Sequence, residues 1–323
     1  MGEPTVSTDS LTGLIERVAK IVESGTRISN RELIELCNKS GISVSSVDSH
    51  IFHEIAETAL NSLIHTKYGS ELMTRPNPAE AVSKVLRPLQ ERLPTQTWRS
   101  ETQIIFQQFS TPAAIAFLAA YLLNIRHGET VLEPSCGTGS LAVWVEAAGA
   151  SVIANEIDPR RRALLQTLGF NTYGFDGEFI DDLLPANLIP DVVLANPPFS
   201  SSSGRVHRNS VQYGFRHIDA ALRRLRKGGR FAVILGESGS PTSRYGSRFW
   251  SNLQPEIELK AAIELPGREF YSNGTSVKTT LIIGTKPGSS QNCSSAEIQS
   301  VPHIVARSVE HAFEQSLELN LRF

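Results

Sequence analysis

The chain has 323 residues, 40% of them hydrophobic and 20% charged, an ordinary globular composition with enough apolar material for one large domain or two unequal ones. Its 31 Lys and Arg against 33 Asp and Glu leave a formal charge of −2, so the molecule as a whole is not a polycation and any nucleic-acid contact must come from a local basic face. The longest apolar stretches are too short and interrupted to span a bilayer, Met1 to Ser10 carries no signal-peptide pattern, and a cytoplasmic location is the expectation.

Residues 1–100 read as helical throughout. Leu11, Leu14, Ile15, Val18 and Val22 recur at helical spacing. Ser29-Asn30-Arg31-Glu32 is a capping box that opens a helix carrying Leu33, Leu36 and Cys37. A further helix is predicted over Val47 to His65, and another over Ala79 to Leu93 between Pro76, Pro78 and Pro94. The short helices around Ser29 to Ser49 read as part of a small bundle packed on the next domain. As a DNA-reading pair they have only Arg27, Arg31 and Lys39 as bases.

From about Thr102 the pattern becomes strand, turn, helix, repeated. Strands are predicted at Thr130 to Glu133, Ser151 to Glu156, Asn171 to Phe175, Asp191 to Ala195 and Arg230 to Leu235. Helices fall at Leu141 to Ala148 and Arg160 to Leu168. Such alternation builds an open parallel sheet with helices on both faces. Lys260 to Leu265 and Val277 to Thr285 suit a closing antiparallel pair. Pro287 to Ser295 is Ser-rich and reads as a loop, and Ile304 to Leu317 as a terminal helix. The division is thus 1–100 helical, 101–286 α/β, and 287–323 linker with a possible helix. Cys37, Cys136 and Cys293 are too far apart for a disulfide framework or a CxxC site, and no metal site is expected.

Two turns carry chemistry. Glu133-Pro134-Ser135-Cys136-Gly137-Thr138-Gly139 follows the first strand, where ligands sit in open α/β sheets. A carboxylate there gives a phosphate nothing, but it suits an ammonium group. That favours S-adenosyl-L-methionine over a dinucleotide, and the GxGxxG spacing and P-loop Lys are both missing. At the second strand end Glu156, followed by Ile157, can accept both hydroxyls of a ribose, with Asp158 and Pro159 opening the next helix. Asp176, at the third strand end, can accept from an adenine amino group. Asn196-Pro197-Pro198-Phe199 ends the fourth strand. Two successive prolines cannot continue a ladder, so they form a stiff corner that leaves a carbonyl acceptor beside the Asn196 amide oxygen. Two acceptors suit an NH2 group, and Phe199 offers a flat face to an extruded base. Between Ser201 and Arg230 the basic residues, Arg205 and Arg208 first among them, face a single acid, Asp219.

These blocks resemble the N6-adenine DNA methyltransferases, most of all the modification subunits of type I restriction systems. Gln108-Phe109-Ser110-Thr111-Pro112 is similar to that family's first cofactor block, Glu133 to Gly139 to its Gly-rich block, and Asn196 to Phe199 to its catalytic block. Glu264 to Gly267, through Phe270-Tyr271 into Thr279 to Ile283, resembles its closing hairpin. The resemblance covers roughly residues 102–286. It implies a Rossmann-like, seven-stranded class I methyltransferase sheet with an N-terminal all-helical region. Thr111 would hold the methionine carboxylate of S-adenosyl-L-methionine, with Phe109 and Pro112 shaping the wall. Glu133 would face the ammonium, and Pro134, Cys136, Gly137 and Gly139 would line the turn. Glu156 and Ile157 would meet the ribose side and Asp176 the adenine. Asn196, Pro197, Pro198 and Phe199 would bind the target base, and Asn196 would also border the cofactor. DNA is the implied substrate, reached through Arg205, Arg208 and neighbouring basic residues. Little chain remains for target recognition, so a specificity subunit is an implied partner. RNA adenine, a protein glutamine amide, or a silent cofactor-binding subunit are the alternatives.

Overall fold

The computed structural model describes residues 8–42, 51–96, 110–198, 210–288 and 301–323. Phe109, Phe199, Arg205, Arg208 and most of the Ser-rich 287–295 segment lie outside the described residues, as does the chain that would complete the second short helix before Ser49.

The N-terminal helices form as their caps and stripes dictate. Helix α1 (Thr8–Glu23) buries Leu11, Leu14, Ile15, Val18 and Val22 on one face. Helix α2 (Asn30–Lys39) starts at the Ser29 capping box, with both reciprocal bonds to Glu32 in place. Helix α3 (Ile51–Leu63) continues through a π-helical turn, Ile64–Tyr68, into α4 (Gly69–Thr74). The single helix predicted over Ala79 to Leu93 is instead segmented. It starts as α5 (Pro78–Ala81), capped by Asn77, passes through a π-helical Val82–Leu86, and ends as α6 (Arg87–Glu91).

Helix α7 (Ala113–Leu123) differs from these in having no polar face, and all eleven of its residues are buried. A helix apolar all round belongs inside the protein. Phe117 packs on Trp144 with ring centroids 4.8 Å apart and on Phe313 at 5.2 Å.

The remaining elements alternate. Strand β1 (Thr130–Glu133) leads to α8 (Ala142–Ala147), β2 (Ser151–Asn155) to α9 (Pro159–Thr167), and β3 (Thr172–Tyr173) to α10 (Ile180–Leu183). Strand β4 (Val192–Ala195) leads to α11 (Ser210–Arg224), and β5 (Arg230–Gly236) to α12 (Arg244–Leu253). Strands β6 (Glu258–Leu265) and β7 (Thr279–Thr285) follow, then β8 (His303–Val305) and α13 (Val309–Glu318).

The sheet order is β3-β2-β1-β4-β5-β7-β6-β8. Strands β1 to β5 run parallel, and β7 is antiparallel to both β5 and β6, which is the closing pair expected from the sequence. The sheet has eight strands where seven were expected. The extra one, β8, pairs parallel with β6 through Ile263↔Ile304, so Ile304 belongs to a strand and the terminal helix begins only at Val309. Strand alternation divides the core in two. Val131, Val192, Leu194, Ala232 and Ile234 face α7, α8 and the N-terminal helices, while Leu132, Val193, Ala195, Phe231 and Val233 face α11 and α12. Arg87 of α6 ties the ends of the chain together by pairing with Glu269 at 3.0 Å and with Glu310 of α13. Among the described residues no helix is long and apolar enough to cross a membrane.

Candidate functional site

The Gly-rich turn, the β2 end and the Asn-Pro-Pro corner all leave the sheet at the carboxyl edge of its parallel strands, where the connections converge. Gly137 and Gly139 adopt φ of 58° and 88°, a region side chains avoid. At Gly139 a Cβ would also come within 3.1 Å of Leu165 on α9 and of Leu168 at its C-cap.

Glu133, at the end of β1, is 1% exposed. Its carboxyl accepts from the Ala142 backbone N–H, but Oε2 has no hydrogen-bond partner among the described residues. Burial, with the Glu156 carboxylate nearby, pushes its pKa well above the usual carboxylate range. A buried carboxyl oxygen without a donor suits a cationic ligand group, because an ammonium would supply both the charge and the proton that the fold withholds. The Cys136 thiol beside it is also pushed well up by burial and by Glu133, so it is packing rather than a nucleophile.

Glu156 accepts from Gly137 N at 2.7 Å and from Asp158 N at 2.8 Å, so it closes the turn onto β2. Burial raises its pKa and the nearby Arg161 opposes that shift. Ile157 follows as a 52% exposed apolar side chain. Asp158 caps α9 by accepting from Arg160 N. Asp176 is half-buried and accepts from Glu178 N at 3.1 Å. Asn155 binds these ends together. It donates to the carbonyls of Pro134 and Phe175 at 2.9 and 3.0 Å and accepts from Phe175 N at 2.8 Å. That bracket lets a two-residue β3 hold its place.

At the corner after β4, Asn196 Nδ2 donates to Thr111 Oγ1 at 2.9 Å, which directs the amide oxygen away from Thr111. Thr111 is 5% exposed and stands just before Pro112 and α7. Pro197 is buried and Pro198 half-buried. The structure thus brings Thr111 and Asn196 together, and separately Glu133, Pro134, Cys136, Gly137, Gly139 and Glu156. Asp176 stands one strand further out.

Sequence reasoning does not single out a polar stripe on α3. Glu54, Glu57 and Asn61 share one face, and each reaches a different part of the site. Glu54 pairs with Arg161 of α9 at 2.8 Å, both at most 5% exposed, and Arg161 in turn faces Glu156. Glu57 hydrogen-bonds the Ser110 side chain and accepts from Asn273 Nδ2 at 2.9 Å. Asn61 Nδ2 donates to the Thr138 carbonyl at 2.8 Å. The helical region is therefore a structural part of the site, with its partners supplied by the α/β domain.

Two predictions follow from this stripe. Arg161→Ala leaves Glu54 buried without its counter-charge, and the expected loss in denaturant unfolding is about 3–5 kcal/mol. A loss below about 1 kcal/mol would show the pair to be dispensable. The second concerns Glu57, whose carboxyl burial raises from 4.5 to about 7. A raised acid contributes stability below its unfolded pKa and loses it as pH rises through its folded one. Thermal stability of the wild type should therefore fall relative to Glu57→Gln between pH 4.5 and 7. Parallel curves for the two proteins would contradict this.

The basic stretch is mostly consumed internally. Arg216 pairs with Glu178 at 3.1 Å, Arg223 with Asp181 at 2.7 Å, Arg226 with Asp191 at 2.5 Å and Arg230 with Glu129 at 2.6 Å. Arg224 donates to the carbonyls of Asp181, Pro185 and Leu188. Arg216, Arg223 and Arg224 thereby hold α11 to its neighbours, while Arg226 and Arg230 tie the entry into β5 to residues flanking β4 and β1.

Residues 104–244 match the family model of the methyltransferase small domain. The α/β domain has the methyltransferase fold, and S-adenosyl-L-methionine is its cofactor. Over 175 residues the chain is 23% identical to a tRNA (guanine(10)-N2)-dimethyltransferase of Methanothermobacter thermautotrophicus, a match that takes in 50% of this chain and 52% of the relative. The chain thus spans about half the length of that curated relative. A Listeria monocytogenes protein assigned to the class I S-adenosylmethionine-dependent methyltransferases superposes with a TM-score of 0.54 at 15% identity, covering 98% of each chain. A type I restriction-modification methyltransferase subunit of Streptococcus thermophilus gives 0.51 at 15% identity, over 97% of this chain and 93% of that one. At these identities the two structures establish a shared fold.

Proposed function

We propose that the chain transfers a methyl group from S-adenosyl-L-methionine to an exocyclic amino group of a nucleic-acid base, with N6 of adenine in DNA as the acceptor. The observation that carries this reading is the Asn196 corner. A side-chain amide oriented by Thr111 sits at a Pro-Pro turn, at the same sheet edge as the buried Glu133.

When bound, the cofactor supplies a methyl group on a positively charged sulfur. The chain's own residues hold and orient it. Glu133 meets the ammonium and ionises on doing so, because the cation offsets its burial. The Thr111 hydroxyl, which already accepts from Asn196, donates to the methionine carboxylate. Glu156 has lone pairs beyond those facing Gly137 and Asp158, and these accept the ribose hydroxyls. Ile157 covers one adenine face and Asp176 accepts from the adenine amine. Pro112, Pro134, Cys136, Gly137 and Gly139 shape the walls.

At the corner, the Asn196 amide oxygen and the adjacent Pro197 carbonyl accept the two hydrogens of the target amine. That turns the nitrogen lone pair toward the methyl carbon. The two carbonyl dipoles would stabilise positive charge developing on that nitrogen until its proton leaves to water. Pro198 keeps the corner rigid.

A second reading places the amine on RNA. The curated relative supports it, since that protein's name specifies guanine N2 of tRNA. Both bases present an NH2 group to the same pair of acceptors. The deciding experiment supplies methyl-labelled cofactor with duplex DNA, single-stranded DNA and tRNA in parallel, digests each pool and separates the nucleosides. The proposal expects label in N6-methyladenine from DNA. Label confined to N2-methylguanine from tRNA would replace it with the second reading.

A further inference from the structure

Arg216, Arg223, Arg226 and Arg230 are each paired with an acid of a neighbouring element, so basic groups elsewhere on the described surface are the better candidates for phosphate contacts. We propose that Arg244, Tyr245, Arg248, Tyr271 and Lys278 form a track on which an unpaired nucleic-acid strand lies beside the Asn196 corner. This rests on the nucleic-acid reading above and specifies the substrate form as single-stranded or locally opened.

Placement comes from the sheet. Ala195, the last residue of β4, pairs with Val233 of β5, and β5 runs on only to Gly236. Gly236 and Leu265 both pair with Thr279. The connections 237–243 and 266–278 therefore leave the same sheet edge as Asn196. They touch each other as well, since Glu237 N donates to the Lys278 carbonyl at 3.1 Å. Helix α12 starts directly after the first connection, capped by Ser243.

The charge on this rim is one-sided. Arg244, Arg248 and Lys278 are exposed and form no ion pair among the described residues. Glu237 is the exposed acid of these segments, while Glu269 is buried and held by Arg87. On α12, residues 244, 245 and 248 share one face, and Trp250 is buried on the other side.

The rim also exposes rings that the fold does not use. Tyr245 is 58% and Tyr271 68% exposed. Phosphates need only the cations. Exposed flat rings interleaved with cations suit bases that have left the duplex, since stacking needs a free base face.

The test is fluorescence anisotropy with the full chain, a labelled single-stranded oligonucleotide and its duplex, across a salt series. Tyr245→Ala/Tyr271→Ala should weaken single-strand binding about tenfold or more and leave duplex binding within about twofold. Arg244→Gln/Arg248→Gln/Lys278→Gln should reduce the single-strand slope of log K against log salt by about 2. Unchanged melting temperatures check that these surface variants fold. Wild-type affinity in both variants overturns the track, as does equal loss on duplex and single strand in the tyrosine variant. If the variants bind like a wild type that does methylate nucleic acid, the track alone falls. If the wild type binds cofactor but neither binds nor methylates nucleic acid, the underlying reading falls and takes the track with it.

Discussion

Asn196→Ala is expected to lower methyl transfer by about two to three orders of magnitude while changing S-adenosylmethionine affinity by less than about threefold. The substitution removes an acceptor needed only when the amine is being alkylated, which is why the effect falls on turnover. On the proposed reading, cofactor affinity rests instead on Glu133 at the end of β1 and on the Gly-rich turn that follows it. The fold is expected to tolerate the change, because Asn196 is only half-buried and the Thr111 hydroxyl that accepts from it can reorient. Single-turnover transfer with saturating cofactor, run beside a binding titration, separates the two quantities. Equal losses in both would mean that Asn196 acts on cofactor binding.

Glu133→Gln should do the reverse. It keeps the shape and the acceptor for Ala142 N but removes the charge, so cofactor affinity should fall by roughly a hundredfold. The empty protein should gain stability. The Glu133 carboxyl is buried with an oxygen that finds no donor among the described residues, and its pKa is raised by burial. A raised acid loses its stabilising contribution as pH rises above its unfolded value, so the melting-temperature advantage of the Gln variant should widen from pH 5 to pH 8. Removing a strained functional group for stability at the expense of binding is the expected trade. Loss of stability together with loss of binding would identify Glu133 as a structural residue.

The parts of the site that were legible in the sequence are those whose chemistry is local to the chain. A glycine turn after a strand, a carboxylate at a strand end and a Pro-Pro corner each carry their reason within a few residues, and each appears at the sheet edge where it was expected. The alternation of β1 to β5 and the antiparallel β6 and β7 were legible for the same reason, since strand period and turn residues are short-range signals.

What escaped depends on partners far away in the chain. Glu54 and Asn61 look like polar positions on an amphipathic helix until Arg161 and Thr138 are seen opposite them. Glu57 meets Asn273, 216 residues away. The basic residues from 216 to 230 suggested a ligand face because their acids, Glu129, Glu178, Asp181 and Asp191, precede them in other elements. Strand β8 is three residues long and gains its identity only by pairing with β6, so helical periodicity ran through it unopposed. The segmented 78–91 helix shows the same limit, because a π-helical turn leaves no mark on apolar spacing.

The central claim is that the Thr111–Asn196 corner presents an amine to the methyl group of a cofactor held by Glu133. The measurement that tests it most directly is incorporation of labelled methyl into nucleic acid by the wild type and by Asn196→Ala, with cofactor binding confirmed for both. Label in the wild-type product and its near absence with the variant is the predicted result. Equal incorporation by the two proteins, or none by a wild type that binds cofactor, would contradict it.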